Sequence, residues 1–561
     1  MIDGARMFNN KFDENLNSFK MELEQNHNLK HSKNIRNFIF SRRNISTSFF
    51  NNEKMNKGNK DENSFNAELI NNNISQVINL FEKIHQNNNY ISLNKNQIGE
   101  IKSFISNYLI QIRKELSKEN ISIIDTKNIF NSNNTKLFCE ILLNPINDTC
   151  DPFIQLESIW IINNLMFLVA KYKNFISFEV SEITKLLIQY LVNIYKNQKN
   201  DGVKNTLEEK ILRIFGNILF IDNNILNMLI ENEIIPFIIG SLNSPIPSFR
   251  TTCLWLLNKI ILIFKKTGYN NFVSFFITKI ALSNYKFILS RMENQNSFDE
   301  ISELFWIFNE LVKYDSNILI PIFFTDINYN TSNKFLNLNK EYSMNKFIFI
   351  LDNCFSDKMI QPCIRLISNL LIICYKNIKD EDLLSKMIQT LYTKESFFRF
   401  INEFMNSPKN KFDYTLSEDI LLLIFNLVSL SPNNSRAYFK NGIINLINNK
   451  DYQNDKKMLN LLFYIYYKIM RNNCFYFEAN DELVIKSSLF LIDSIKDDYC
   501  ILCIMIDLFY CYLKVSNAAI DENIENELKI MINIKEIIPN DNLIAILIRL
   551  SNLIRMKFNF L

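Results

Sequence analysis

The chain has 561 residues, of which 47% are hydrophobic, 13% aromatic and 22% charged; it carries enough apolar material for a large core and too much of it for a disordered protein. The formal charge of +3, from 62 Lys and Arg against 59 Asp and Glu, is too small for a general nucleic-acid binder. Only eight Gly and three His occur, and no two Gly lie close together, which excludes GxGxxG, GxxxxGK[ST], GxSxG and HExxH. No catalytic residue, cofactor or metal site is expected.

In chain order, the first segment is basic. Residues 1-60 hold 11 Lys and Arg against 6 Asp and Glu, a net of +5, which leaves 51 against 53, a net of −2, for residues 61-561. A nearly balanced total therefore conceals a basic arm, residues 1-46, ahead of a slightly acidic body. Residues 47-74 are polar with little helical periodicity and read as a flexible linker. Asn is the commonest polar residue, about 85 in all, and runs such as Asn71-Asn72-Asn73 are compositional bias as much as signal.

From residue 75 to 561, apolar segments of about 10 to 16 residues recur, with polar breaks and no period-two alternation, so the body is expected to be all-α. Several segments share one local pattern: Gln155-Leu-Glu157-Ser158-Ile-Trp160-Ile-Ile-Asn-Asn164, Glu209 to Asn217, Arg250 to Asn258, Ser302 to Glu310, Pro362 to Asn369 and Asp419 to Asn426. All three Trp lie in them. With the last polar residue of each as a marker, the intervals are 53 (164 to 217), 41 (217 to 258), 52 (258 to 310), 59 (310 to 369) and 57 (369 to 426). Armadillo and HEAT repeats run at about 40 to 47 residues, so most intervals imply inserted loops, with polar stretches at 196-206 and 325-345 as candidates. Weaker copies follow at Lys457 to Ile465 and Tyr499 to Tyr512, and a last helical segment near Asn542 to Ile554. Such an array buries helix faces between neighbouring repeats and presents one layer of helices on a concave surface.

The ten Cys are scattered singly except Cys500-x2-Cys503, which lies in an apolar run and reads as buried, reduced thiols of a reducing compartment. Apolar runs are broken by Asn or Lys before about 18 residues, as by Asn258-Lys259, and no membrane span is expected.

Trp160 and Asn164 are four residues apart, so a helix places both on one face. Repeated along an array, the pair forms a ladder. An Asn amide donates and accepts, and so can pair with the backbone of an extended peptide whatever its sequence. An indole face beside it can hold a Lys or Arg stem with a cation–π gain of roughly 0.5 to 2 kcal/mol. A lone Trp with Asn at i+4 is ordinary core plus a solvated amide; the ordered recurrence at near-repeat spacing sets this array apart.

These residues resemble the importin-α family, armadillo-repeat adaptors that carry nuclear-localisation signals. Gln155-x-Glu157-Ser158-x-Trp160-x-x-x-Asn164 resembles the family's second repeat, and Pro362-x-x-Arg365-x-x-x-Asn369 its sixth, in which Arg replaces Trp. Glu209 to Asn217 is similar to the third repeat, Arg250 to Asn258 to the fourth, the segment around Trp306 to the fifth, and Asp419 to Asn426 to the seventh. At the N-terminus, Leu29-Lys30-x-x-Lys33, Arg36 and Arg42-Arg43-Asn44-Ile45 resemble in order the family's importin-β-binding segment, although a charged surface helix reads the same way.

The resemblance implies a right-handed armadillo superhelix of about ten repeats, with no enzyme activity. It implies a major peptide site of Trp160, Asn164, Asn217, Asp222, Asn258 and Trp306, and a minor site of Arg365, Asn369, Asp419 and Asn426. Lys30, Lys33, Arg36, Arg42 and Arg43 would bind importin-β, and the Arg42-Arg43-Asn44 stretch would compete for the groove. The implied partners are cargo proteins with basic signals, importin-β and an export receptor, with shuttling between cytoplasm and nucleus; neither nucleic acid nor membrane is a partner. Departures stand beside it. Arg213, Leu254 and Leu422 replace expected Trp residues, with Trp255 one residue late, and Leu461 with Ile465 replaces Trp and Asn in the eighth repeat. These departures motivate an alternative, an armadillo scaffold that binds a different peptide or protein, and a neutral or basic lining would favour it over signal binding.

Overall fold

A computed structural model describes residues 65–90, 95–118, 121–130, 133–143, 152–196, 202–219, 221–222, 224–267, 298–312, 357–377, 395–406, 414–431, 443–447, 455–473 and 481–494, with scattered positions among 385–391, 435–438 and 502–552. The described residues form helices and turns and no strand, so the fold is all-α. The basic arm, with Lys30, Lys33, Arg36, Arg42 and Arg43, lies outside them, as do 325-345 and Cys500-x2-Cys503. The chain divides into two compact units, Met1–Ile234 and Ile235–Leu561.

In the first unit, helix α1 (Ala67–Tyr90) starts where Asn66 caps it, its Oδ1 accepting the Leu69 N–H at 2.9 Å. The linker expected over 47-74 therefore ends by residue 66. The Asn71-Asn72-Asn73 run looks like loop material, but Ile70, Ile74, Val77, Ile78 and Phe81 fall on one stripe at helical spacing, and all five are buried. Burial of that stripe outweighs the weak helix propensity of the three Asn. Then come α2 (Lys95–Leu116), α3 (Ile123–Phe130), α4 (Asn133–Leu143), α5 (Pro152–Lys171), α6 (Ser181–Lys196), α7 (Gly202–Ile218) and α8 (Asn224–Glu231). Ser122 and Asp125 start α3 as a capping box: the Asp125 N–H donates to Ser122 Oγ at 3.1 Å, and the Ser122 N–H donates to the Asp125 carboxylate at 3.2 Å. The insertion expected over 196-206 shortens at its far end, because α7 already begins at Gly202.

These helices pack in two rows. One row runs α2, α5, α7, each touching the next; the other runs α1, α4, α6, α8; and α1 on α2, α4 on α5 and α6 on α7 join them. Helix α5 sits in the middle of its row and is covered from several sides. Although Asn163-Asn164 interrupt it, Phe153–Lys171 is long and apolar enough on average to cross a membrane, and 72% of its window is buried inside the fold. A helix covered by α2, α4 and α7 needs apolar residues nearly all round.

The second unit holds nearly all of α9 (Ile234–Ser241), then α10 (Pro247–Thr267), α11 (Phe298–Val312), α12 (Asp357–Asn377), α13 (Glu395–Asn406), α14 (Tyr414–Leu430), α15 (Ile443–Ile447), α16 (Lys456–Asn473) and α17 (Asp481–Ser494). Again there are two rows: α10, α11, α12, α14, α16 in sequence, and α13, α15, α17, with α15 on α16 bridging them. The patterned segments share one row in each unit, α2–α5–α7 in the first and α10–α11–α12–α14–α16 in the second: Trp160 on α5, Asn217 on α7, Asn258 on α10, Trp306 on α11, Asn369 on α12 and Asn426 on α14.

Candidate functional site

In the first unit the site is built on the α2–α5–α7 row. Trp160 is partly exposed on α5, and cations from both flanking helices meet its ring: the Arg113 guanidinium of α2 lies 5.3 Å from the ring centroid and the Lys210 ammonium of α7 4.1 Å from it. The indole face expected to receive a ligand cation is thus already in contact with cations of this chain. Arg113 is fixed by Glu157, one turn before Trp160, at 2.6 Å. Burial pushes the Glu157 carboxyl above its ordinary value of 4.5, and Arg113 pulls it down without cancelling the effect. Arg213, which replaces an expected Trp, is paired along its own helix with Glu209, so its charge is partly compensated within α7.

The amides expected to face solvent are turned into the row. Asn164 is fully buried and its Nδ2 donates to Ser117 Oγ at 3.4 Å, while Asn217 Nδ2 donates to Asn163 Oδ1 at 3.2 Å. A helix packed on both sides places one flank of any 100° stripe under a neighbour, and the Asn flank is the covered one here. The partial exposure of Trp160 beside a sealed Asn164 shows that i and i+4 share a face without sharing solvent. The Asn164 Oδ1 has no hydrogen-bond partner. Asp222, expected in the major site, caps α8: its Oδ1 accepts the Asn224 N–H at 2.9 Å.

In the second unit the row carries a similar chain of amides. Asn309 Nδ2 reaches the Pro362 carbonyl on α12 at 2.9 Å; Asn369 Nδ2 donates to Asn309 Oδ1 at 2.9 Å; and Asn426 Nδ2 donates to Ser368 Oγ at 2.6 Å. The member on α11 is therefore Asn309, one residue before the Glu310 used as marker. Asn217 and Asn426 each select the residue just before the preceding marker, Asn163 and Ser368. Sequence reading missed Ser117, Asn163 and Ser368 as partners; the polar doublets Asn163-Asn164 and Ser368-Asn369 inside apolar helices were the available signal. Asn258 is 1% exposed with both amide atoms unpartnered, and the Trp255 Nε1 three residues earlier is buried and unpartnered as well. Lys259 lies 4.0 Å from the Trp255 centroid.

Three of the residues assigned to the sites come together on α11, α12 and α14. The Arg365 guanidinium lies 5.0 Å from the Trp306 ring and grips Asp419 with both fork nitrogens at 2.9 to 3.2 Å, while Gln361 donates to the same carboxylate at 2.9 Å. Trp306 and Arg365, separated by assignment to a major and a minor site, thus belong to one cluster. Asp419 is 1% exposed, and Arg365 is its counter-charge. Leu461 and Ile465 are buried on α16.

No protein-family model matches the sequence, and no curated protein matches it significantly. A solved structure that is similar is the crystal structure of an engineered protein, 9% identical, over 86% of this chain and 99% of that one, with a TM-score of 0.48. At that level the likeness carries no argument about this chain's site.

Proposed function

We propose that this chain is a helical-repeat adaptor, of the nuclear-import type its sequence resembles, that binds an extended peptide segment along the helix row that carries the Trp and Asn pattern and takes part in no chemistry of its own. In this reading the rows are armadillo repeats, and the basic arm of residues 1-46 links the adaptor to importin-β. The observation that supports it is positional: each patterned helix contributes its Trp, Arg and Asn residues to the same row of its unit. The unpartnered Asn164 oxygen and Asn258 amide add to this, because a buried polar group without a partner costs about 1 to 3 kcal/mol, and a peptide backbone paired with them after a side-chain rotation would recover it. Fluorescence anisotropy of a labelled Lys-rich signal peptide with the full chain tests the proposal. Trp160→Ala with Asn164→Ala should weaken binding at least about tenfold, and unchanged affinity overturns the reading. Deletion of residues 1-46 should abolish complex formation with importin-β.

One observation favours the second reading, a scaffold for an uncharged or acidic segment. Helices α2, α5 and α7 hold eight Lys and Arg (95, 102, 113, 114, 171, 204, 210, 213) against five Asp and Glu (100, 115, 157, 208, 209). The α10, α11, α12, α14 and α16 row holds eleven against seven. The excess acid of residues 61-561 therefore lies elsewhere. A Glu-rich peptide that outcompetes the Lys-rich one would decide for this reading.

A further inference from the structure

Trp160 is the partly exposed indole among the three, since Trp255 and Trp306 are 6% and 8% exposed. The two cations at its ring come from separate helices. Arg113 is anchored at 2.6 Å by the buried Glu157, so its position belongs to the core. Lys210 is the closer of the two, with its ammonium 4.1 Å from the ring centroid, and its side chain is half-buried.

We propose that Lys210 is a specificity determinant: its ammonium excludes external cations from the Trp160 face, so that a bound segment places an uncharged aliphatic side chain there in preference to Lys or Arg. Two effects act in the same direction. The quadrupole of the indole is already engaged, which removes the cation–π gain, about 2- to 30-fold in affinity, that a ligand Lys would otherwise find. A second cation brought to the same ring also faces like charge at short range. An aliphatic side chain meets neither obstacle, and it can pack on the indole and on the methylene stem of Lys210. The departure from a basic-signal groove is thus carried by a residue outside the Trp and Asn pattern, one helix along.

The inference rests on the reading of this row as a peptide-binding face, and its test separates the two. Full-length protein and the Lys210→Met variant, which keeps the stem length, are compared by caesium and acrylamide quenching of Trp fluorescence at constant ionic strength. Lys185→Met is the control: it removes the same charge from an exposed surface pair with Glu182 on α6. The expected result is a caesium quenching constant raised about twofold or more in Lys210→Met alone, with acrylamide quenching unchanged. Equal caesium quenching in all three proteins, or a rise matched by acrylamide, overturns the proposal. The same proteins are titrated with the Lys-rich peptide. A gain of about threefold or more in affinity for Lys210→Met over Lys185→Met extends the exclusion to ligand lysines, and equal affinities overturn it for them. If no protein binds the peptide while caesium quenching still rises, the exclusion holds and the basic-signal function is refuted.

Discussion

Asp419→Asn should destabilise the second unit by about 3 kcal/mol. Asp419 is 1% exposed and Arg365 11%, and the pair is joined by two fork nitrogens at 2.9 to 3.2 Å. At an effective dielectric constant near 20 and a charge separation of about 4 Å, the Coulomb attraction is about 4 kcal/mol. Truncating one partner of a buried pair costs about 3 to 5 kcal/mol, chiefly through the charge left uncompensated. The partial exposure of Arg365 and the Trp306 ring 5.0 Å from it place the cost at the lower end. Replacing both, Arg365→Met with Asp419→Leu, should recover at least half of the loss, since no charge then remains buried. The assay is guanidinium denaturation of the full chain followed by circular dichroism and Trp fluorescence, with the double-mutant cycle closed by Arg365→Met alone. If Asp419→Asn costs less than about 1 kcal/mol and the coupling energy is below about 0.5 kcal/mol, the cluster is not a staple between α11, α12 and α14, and Arg365 is left available for a ligand.

The Arg250–Glu300 pair between α10 and α11 is more deeply buried, at 2% and 1% exposure, with a fork at 2.6 and 2.8 Å and a further bond from Arg250 to the Ser244 carbonyl at 2.6 Å; Glu300→Gln should cost about 3 to 5 kcal/mol in the same assay, and a loss below about 1 kcal/mol contradicts this. At Glu157 burial raises the folded pKa above the ordinary 4.5, so the stability this group contributes is fully present below the ordinary value and is lost as pH rises through the raised one. Glu157→Gln should therefore be at least as stable as the parent at pH 7, with the difference vanishing at pH 4, and a clear loss at pH 7 refutes the sign. Burial pushes the Cys139 thiol up to about 12, so iodoacetamide at pH 8 should leave it unmodified in the native protein and label it after unfolding, as peptide mass spectrometry can show; labelling within minutes under native conditions would contradict its enclosure.

The all-α class was legible from periodicity because a stripe such as Ile70, Ile74, Val77, Ile78 and Phe81 has physical meaning only on a helix. The recurring Trp, Arg and Asn positions were legible too, and they mark one row in each unit. Local polarity misled at Asn71-Asn72-Asn73, where three poor helix formers are carried by the apolar stripe they flank, Asn73 itself being buried. What one sequence could not carry was which flank of each helix its neighbours would cover. Asn164, Asn217, Asn258 and Asn426 could equally have faced a peptide or the next helix, and packing turned them inward. Arg113 and Lys210 lie 47 and 50 residues from Trp160 in sequence, and Asp419 lies 54 from Arg365; neither meeting leaves a local trace. Residue spacing along a helix is set by the backbone and can be read from the chain alone. The occupancy of an indole face or a guanidinium fork depends on contacts between successive helices of a row, and those exist only once the helices are packed.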